Sequence, residues 1–269
     1  PGIIGFIESC DESVRSRRMA VNDDDDSEIA LEIFDNDSYY SIPFEKIASD
    51  TFEGEKIRII IGKTGTFKTE YANTISNHWW LACEKDKRFM IDSDTSMDDL
   101  IDSYFSMMLY HSKQIDTKPL VWLDDIDLIN PEVANELFYV LSGSQNIVKS
   151  STTGLSLNLK DVHWLFTSSD NRADLKNRFG DKFTELITRN VITMKSYKEL
   201  SKKTKKDVIH FFLSQTLSDI DQDVLFIEKG GIEYLINQTF RGANMRYLEK
   251  LIRDSVLFNY YCVADSNGT

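Results

Sequence analysis

Apolar residues in the middle of the chain occur in short runs, and most of these runs are followed by a segment with helical spacing. The runs lie at 56–61, 88–91, 120–123, 162–166 and 191–194. Short β-branched runs of this kind are typical of buried parallel strands. Helices are predicted between them at 68–76, 97–110 and 130–141, and the last begins at a capping Asn130 and a first-turn Pro131. The alternation predicts an α/β sandwich on a parallel five-stranded sheet.

The pattern changes after residue 195, where we expect strands to stop and a helical tail to begin. Helices are predicted near 204–217, 222–227, 230–238 and 243–258. We therefore divide the chain into an N-terminal segment of unclear role at 1–50, an α/β core at 51–195 and a C-terminal helical lid at 196–269.

Composition narrows the class of protein. The 269 residues, 41% of them hydrophobic, suffice for one large domain or a core with a small second domain. A formal net charge of -13 argues against a general binder of nucleic-acid phosphates. Cys10, Cys83 and Cys262 lie far apart, which favours a reducing cytoplasm over disulfides or zinc. No apolar run reaches the roughly 18 residues of a membrane helix, and the start at Pro1 suggests a processed fragment.

A phosphate-binding loop is indicated directly after the first core strand. Its residues are Gly62, Lys63, Thr64, Gly65, Thr66, Phe67, Lys68 and Thr69. They follow the form GxxxxGK[ST], except that Phe67 replaces the last glycine. In such a loop the backbone N–H groups and the helix N-terminus surround the phosphates, while Lys68 contacts the outer phosphates and Thr69 holds Mg²⁺. A bulky residue at positive φ costs on the order of 1 kcal/mol, so Phe67 predicts weakened nucleotide binding.

Two aspartates, Asp124 and Asp125, end the predicted third strand. A buried strand that ends in acids places one carboxylate near Mg²⁺ and the next near an attacking water. We therefore predict Asp124 as a metal ligand beside Thr69, and Asp125 as the catalytic base. The usual second acid is Glu, so the shorter Asp125 indicates slow hydrolysis.

These motifs and two later segments resemble the AAA+ domains of bacterial sigma-54-type enhancer-binding proteins. The acidic strand reads LVWLDDID where that family has LFLDEI, and the helix after it reads PEVANELFYVL. Arg178 and Phe179 look like the family's arginine-finger segment, and residues 240–248, FRGANMRYL, resemble its WPGNVREL sensor-2 helix. The resemblance spans residues 45–258 and implies a P-loop AAA+ three-layer sandwich with a small helical lid that binds ATP and Mg²⁺.

The resemblance also implies roles for three arginines. Arg246 would contact the outer phosphates of the nucleotide bound to the same subunit. Arg178 would enter the neighbouring subunit's site and offset the charge that develops in the transition state, and Arg189 is a second candidate for this finger.

The family's sensor-1 residue, which lies at the end of the fourth strand, has several candidates here. Residue type favours Asn171, whereas counting along the strand favours Ser169. Thr167 and Ser168 are further candidates, and we prefer Asn171 slightly.

The GAFTGA loop, by which enhancer-binding proteins contact the sigma factor, does not occur between the phosphate-binding loop and the acidic strand. We therefore expect a different partner. A polar insertion at 145–160 is retained, and in this clade such hairpins line the pore of the ring. Its predicted exposed tip, Lys149, Ser150 and Thr152, is the best candidate for a substrate contact, with a plain surface hairpin as the alternative.

Three functional hypotheses remain. The first is an ATP-driven ring, formed by this chain alone or with a related ATPase, that remodels an unidentified protein or nucleic-acid partner. The second, favoured by Phe67 and Asp125, is a nucleotide-dependent assembly scaffold or switch with slow or no hydrolysis. The third is a STAND-like signalling ATPase, against which the helix GANMRYLEKLI speaks. Residues 42–47 are expected to pack against the adenine, or else to belong to a linker.

Overall fold

A computed structural model of the chain describes residues 29–33, 48, 56–79, 88–114, 116, 118–219, 224–237 and 244–266. These residues divide into two units, of which the first comprises residues 48–195. The second comprises residues 196–266 with the strand at 29–33. Our predictions for residues 42–47, for Cys10 and Cys83, and for the first part of the sensor-2 segment lie outside the described residues.

The elements are as follows. The strands are β1 (Ile29–Ile33), β2 (Ile57–Ile61), β3 (Arg88–Met90), β4 (Leu120–Asp124), β5 (Ile147–Lys149), β6 (Ser156–Asn158), β7 (His163–Ser168), β8 (Val191–Thr193) and β9 (Val224–Glu228). The helices are α1 (Lys68–Trp79), α2 (Met97–Asp99, continued by a π-helical turn at Leu100–Phe105 and by Ser106–Gln114), α3 (Pro131–Leu141), α4 (Arg172–Ile187), α5 (Lys202–Asp219), α6 (Lys229–Asn237) and α7 (Met245–Ser266).

A parallel five-stranded sheet in the order β3-β4-β7-β2-β8 forms the centre of the first unit. Every residue of β4 and β7 is buried, because both strands have neighbours on each side. This explains their continuous apolar runs, which lack the alternation of a half-exposed strand. The predicted fold class, α/β with a five-stranded parallel sheet, is confirmed.

The carboxyl ends of the central strands are the part of the sheet that positions the site. In an open parallel sheet, side chains from successive strand ends meet at one edge, next to the loops that lead into the helices. Here β2 runs into the phosphate-binding loop and α1, and α1 packs on both β4 and β7. The order β4-β7-β2 therefore places the ends of three motif-bearing strands side by side.

Helix α2 is attached to the acidic strand β4 through one buried side chain. The Tyr104 hydroxyl donates to the carbonyl of Trp122 over 3.0 Å and accepts from the Trp122 amide over 2.8 Å. Burial raises the pKa of Tyr104 above its usual value, so this phenol stays a hydrogen-bonding neutral group. The start of α2 carries a capping box formed by Ser96 and Asp99.

The predicted hairpin is present as the antiparallel pair β5 and β6. Its tip lies against α2 because two carboxylates, Asp98 and Asp102, accept hydrogen bonds from it. The donors are Ser150 Oγ, Ser151 N and Oγ, Thr152 Oγ1 and Thr153 Oγ1. Lys149 and Thr152 are exposed as predicted, but the prediction for Ser150 was wrong: its side chain is 1% exposed because it bonds to Asp102.

Removal of both carboxylates is expected to release the hairpin tip. In the double variant Asp98→Asn, Asp102→Asn, amide hydrogen exchange at residues 150–155 should rise, whereas Asp94→Asn, a nearby exposed aspartate, should leave it unchanged. Hydrogen bonds from Ser151 and Thr152 lower the pKa of Asp98 from 3.8 to about 2. The carboxylate therefore stabilises the tip above pH 3.8, and we expect this contribution to disappear as the pH falls towards about 2. Equal exchange in the double variant and the wild type would contradict the attachment.

The second unit contains α5, α6 and α7 together with a strand that we did not predict. Residues 222–227 were expected to be helical, but β9 pairs antiparallel with β1, with Leu31 opposite Phe226. The expectation that strands stop after residue 195 was therefore wrong. The run VLFIE is short and apolar, and its partner lies almost two hundred positions earlier in the chain, so no local pattern shows the pairing. Among the described residues, no helix has the length and apolarity to cross a membrane.

Candidate functional site

The phosphate-binding loop begins at Gly62, where the backbone is closely surrounded. A Cβ atom at this position would lie 2.6 Å from Thr66 Oγ1 and 2.8 Å from the Cβ of Met194. Only glycine fits such a space without movement of its neighbours. The Thr66 hydroxyl in turn donates to the carbonyl of Lys63 over 2.8 Å, which closes the loop on itself.

Phe67 adopts the left-handed backbone conformation that the missing glycine would favour. Its φ is 66°, close to the 77° of Gly65, and its side chain is 6% exposed. The conformation costs an aromatic residue on the order of 1 kcal/mol or more. Burying the ring contributes about 1.5–3 kcal/mol, which offsets that cost. The loop thus keeps its shape despite the substitution.

At position 67 we expect glycine to give a more stable protein than alanine, which is the reverse of their usual order. Both variants lose the buried ring, but only alanine keeps a Cβ at φ 66°, so Phe67→Gly should be more stable than Phe67→Ala by about 1 kcal/mol. Denaturant unfolding of both variants measures this difference. The same pair at the exposed helical residue Glu136 serves as control, because there alanine should be the more stable by about 1 kcal/mol. Alanine more stable at both positions would contradict the argument.

Lys68 points across the end of the sheet towards the loop after β7. Its ammonium group donates to the carbonyl of Lys63 over 3.3 Å and to Ser169 Oγ over 3.1 Å, and the residue is 6% exposed. A cation this buried is costly unless anions or oxygen acceptors surround it. The arrangement supplies a site for anionic oxygens next to the Lys68 ammonium group.

Asp124 is the buried aspartate that ends strand β4. Its carboxylate accepts from Thr69 Oγ1 over 3.3 Å and from Thr167 Oγ1 over 2.5 Å, and Arg88 Nη1 lies 3.4 Å from Oδ2. The side chain of Asp124 is 3% exposed. A hydroxyl and a carboxylate at this separation are the hard oxygen ligands that suit Mg²⁺, which usually takes one or two protein ligands and completes its shell with phosphate oxygens and water. In the described part of the chain no group of three or more His, Cys, Asp or Glu suits a metal ion.

Arg88 and Thr167 both contact the Asp124 carboxylate, and neither contact was predicted from the sequence. Arg88 lies opposite Trp122 in the pairing of β3 with β4, two positions before Asp124, and therefore on the same face. That register could have indicated the contact, but it requires knowledge that β3 and β4 are neighbours. Thr167 had been considered only as a possible sensor.

Asp125 leaves the strand in a left-handed conformation with φ 57° and ψ 51°. Its amide donates to Thr167 Oγ1 over 2.9 Å, so one threonine hydroxyl joins both aspartates. Asp and Asn tolerate this region better than other residues with a side chain. The backbone thus gives a physical reason for Asp rather than Glu at position 125.

Two of the sensor candidates, Ser169 and Asn171, lie in the loop between β7 and α4, and the other two, Thr167 and Ser168, end β7. Ser169 bonds to Lys68 through its hydroxyl, and its amide donates to Asp127 over 2.9 Å. Asn171 instead caps α4, accepting from the amides of Ala173 and Asp174, and it is exposed. The structure therefore places Ser169 beside Lys68 and uses Asn171, which we had preferred, as a helix cap; which of them acts as sensor 1 stays a prediction.

The three predicted arginines lie at exposed positions. Arg178 is in α4, where its guanidinium forms an ion pair of 3.3 Å with Asp170. Arg189 lies in the turn between α4 and β8, and Arg246 is the second residue of α7 in the other unit. The structure thus brings Lys68, Thr69, Asp124 and Ser169 together in one unit and leaves the roles of these three arginines as predictions.

No protein-family model matches the chain, but one known protein sequence and several solved structures are similar to it. It is 25% identical over 236 residues to the chaperone protein ClpB of Malacoplasma penetrans (strain HF-2), covering 75% of this chain and 32% of ClpB. Among solved structures it is similar to NtrX from Brucella abortus in complex with ADP, with a TM-score of 0.57, 12% identity and coverage of 76% of this chain and 46% of NtrX. A closed state of Hsp104 with ATPγS and FITC casein gives a TM-score of 0.56 at 12% identity, covering 78% of this chain and 41% of that chain.

These likenesses show that the chain has the P-loop AAA+ fold. The shared fold agrees with the AAA+ resemblance noted from the motifs. The chain spans about a third of the length of ClpB, and less than half of the matched NtrX and Hsp104 chains.

Proposed function

We propose that the chain binds ATP and Mg²⁺ at the carboxyl edge of its sheet and hydrolyses the nucleotide at an interface between subunits. The observation that carries this proposal is the meeting of three strand ends, where Thr69 lies 3.3 Å from Asp124 and Lys68 lies 3.1 Å from Ser169. Related folds support the choice of ligand, because NtrX was solved in complex with ADP and with ATP, and Hsp104 with ATPγS.

The residues of the site divide the chemistry among them. The amides of the phosphate-binding loop and the Lys68 ammonium group hold the outer phosphates. Thr69 and Asp124 would hold Mg²⁺, which neutralises charge on the phosphate oxygens when it is bound. Asp125 orients the attacking water and accepts its proton, and Ser169 lies where it contacts the outer phosphate.

The arginines complete the proposed site from outside the phosphate-binding loop. Arg178 is exposed on α4, as a finger that serves a neighbouring subunit has to be, and it would offset negative charge in the transition state. Arg189 is the second finger candidate. Arg246 would contact the nucleotide from the helical lid. A site shared in this way is active only when subunits assemble, either with themselves or with a related ATPase.

A protein is the proposed partner on which hydrolysis acts. The net charge of -13 disfavours nucleic acid. The relative ClpB is a chaperone, and the Hsp104 structure contains casein. The exposed tip residues Lys149 and Thr152 of the hairpin β5–β6 are the proposed contact.

A second function, a nucleotide-dependent scaffold or switch, is favoured by the two departures from the common motifs. Phe67 and Asp125 both take left-handed conformations at the site. If these departures slow hydrolysis, ATP binding alone would hold the assembly. The two functions share the nucleotide site and differ only in turnover.

Hydrolysis measured over a series of protein concentrations tests the shared site. We expect the activity per subunit to rise with concentration in the wild type, and to fall by about 100-fold or more in Arg178→Ala at every concentration. Arg172→Ala, an exposed arginine on the same helix, is the control. Turnover that is independent of concentration would contradict a shared site, and tight MgATP binding without turnover would indicate the scaffold.

A further inference from the structure

The loop between β7 and α4 links the phosphate-binding loop to the proposed finger. Ser169 Oγ accepts from Lys68, and the next residue, Asp170, forms the ion pair with Arg178. Asn171 then begins α4 as its cap. Two consecutive residues therefore contact the lysine that holds the subunit's own nucleotide and the arginine proposed to serve its neighbour.

Asp170 is held in place by its own backbone. Its amide donates to Ser168 Oγ over 3.0 Å, and the Ser168 hydroxyl donates to the Asp170 carbonyl over 3.3 Å. Its Oδ2 lies 3.3 Å from an Arg178 guanidinium nitrogen as an ion pair rather than as an aligned hydrogen bond. The Asp170 side chain is 23% exposed and that of Arg178 46%, so the pair is accessible enough to open.

The helix that carries Arg178 is broken two residues later. Gly180 has φ 78° and ψ 172°, which is not a helical conformation and which strains any residue with a Cβ. Residues 172–179 thus form a short helical arm between the loop at 169–171 and the break at Gly180. Gly180 thus separates this arm from the remainder of α4.

We infer that Asp170 is a positioning residue that restrains Arg178 until its own subunit binds nucleotide. This inference rests on the proposed function. The outer phosphate competes with Ser169 for the Lys68 ammonium group, so nucleotide binding removes the hydrogen bond that holds Ser169. The loop then shifts, the Asp170–Arg178 pair opens, and the guanidinium becomes available to the next subunit. The state of one site thereby controls catalysis at its neighbour.

Chemical labelling of Arg178 tests the restraint without any need for hydrolysis. Phenylglyoxal modification, followed by mass spectrometry on dilute protein, should be about two- to fivefold faster at Arg178 in Asp170→Asn than in the wild type, the range for release of an exposed ion pair. Asp181→Asn breaks a different ion pair on α4, with Lys176, and should leave the rate at Arg178 unchanged. Magnesium with a non-hydrolysable ATP analogue should accelerate labelling in the wild type but not in Lys68→Ala. Equal rates in Asp170→Asn and the wild type would overturn the inference.

Mixed assemblies test the consequence for the neighbouring site. An Arg178→Ala subunit has a complete phosphate site but no finger. A Thr69→Ala subunit keeps the hydrogen bond between Lys68 and Ser169 but lacks a proposed Mg²⁺ ligand, so its weakened nucleotide site should leave its finger restrained. Hydrolysis by their mixture should rise about two- to fivefold when the second subunit also carries Asp170→Asn. Asp181→Asn in the same background is the matched control.

The outcomes separate the restraint from the shared site. The mixtures with and without Asp170→Asn are compared. If their activities are equal and exceed that of Arg178→Ala alone, the restraint is overturned, while the shared site is still supported. Activity no higher than that of Arg178→Ala alone in both mixtures would overturn the shared site. Faster labelling in Asp170→Asn together with the increase in its mixture supports the inference, and Asp170→Glu should restore wild-type values because it returns the charge.

Discussion

Lys68→Ala is expected to weaken MgATP binding by about 10–100-fold, because each hydrogen bond to a charged group is worth about 1.5–3 kcal/mol. Hydrolysis should fall by about 100-fold or more, as for other donors that stabilise a transition state. The expectation follows from the position of the ammonium group, which is buried and lies within 3.3 Å of two oxygen acceptors at the mouth of the loop. Fluorescent-nucleotide titration and phosphate release measure the two effects.

The matched control for this variant is Lys63→Ala in the same loop. The Lys63 side chain is exposed, while its carbonyl accepts hydrogen bonds that the substitution keeps. We expect nucleotide affinity within about threefold of the wild type, since the loop binds phosphates through its backbone. Equal binding by the wild type and both variants would show that the loop holds no nucleotide. Equal losses in both variants would show that the charge of the loop as a whole, rather than Lys68, is responsible.

Asp125→Asn is expected to stop hydrolysis while ATP remains bound. A positioned general base contributes about 10²–10⁴-fold to rate, and the amide of asparagine cannot accept the proton. The backbone should tolerate the change, because asparagine is as well suited as aspartate to φ 57° and ψ 51°. The measurement is single-turnover hydrolysis with parallel ATP binding, and we expect a rate loss of about 100-fold or more with affinity changed by less than about threefold.

Two further variants show whether the loss comes from the carboxylate. Asp125→Glu restores an acid on a longer side chain and should hydrolyse faster than Asp125→Asn, even though glutamate suits the left-handed backbone less well. Asp116→Asn makes the same substitution at another left-handed aspartate, φ 51°, which is exposed and precedes β4, and should leave the rate unchanged. Wild-type turnover in Asp125→Asn would remove Asp125 from the mechanism. Retained MgATP binding without turnover in the wild type itself would select the scaffold.

Much of the first unit could be predicted because its signals are local. Strand β4 is buried along its whole length, so it reads as an uninterrupted apolar run, and the run at 120–123 was found to within one residue of Leu120–Asp124. The phosphate-binding loop is contiguous in sequence, so its residues could be listed before any fold was known. The start of α3 was also predicted correctly, because Asn130 caps the helix through the amide of Glu132, only two residues away.

Features that depend on neighbours in space could not be predicted in the same way. Asn171 was preferred as a sensor on residue type, and this role stays a prediction; the structure shows that Asn171 caps the N-terminus of α4, which could not be seen until the start of that helix was known. Ser150 was expected at an exposed tip, and a carboxylate 48 positions earlier holds it buried.

The α/β alternation, the phosphate-binding loop and the paired aspartates could be identified from the amino-acid sequence, because each is encoded within a few consecutive residues. Four contacts became visible only in the folded chain: Arg88 and Thr167 with Asp124, Ser169 rather than Asn171 with Lys68, and Asp170 with Arg178. The structure also revealed the pairing of β1 with β9. Strand order and register bring these groups together across long separations in the chain, and neither strand order nor register is present in a local pattern of apolar and polar residues.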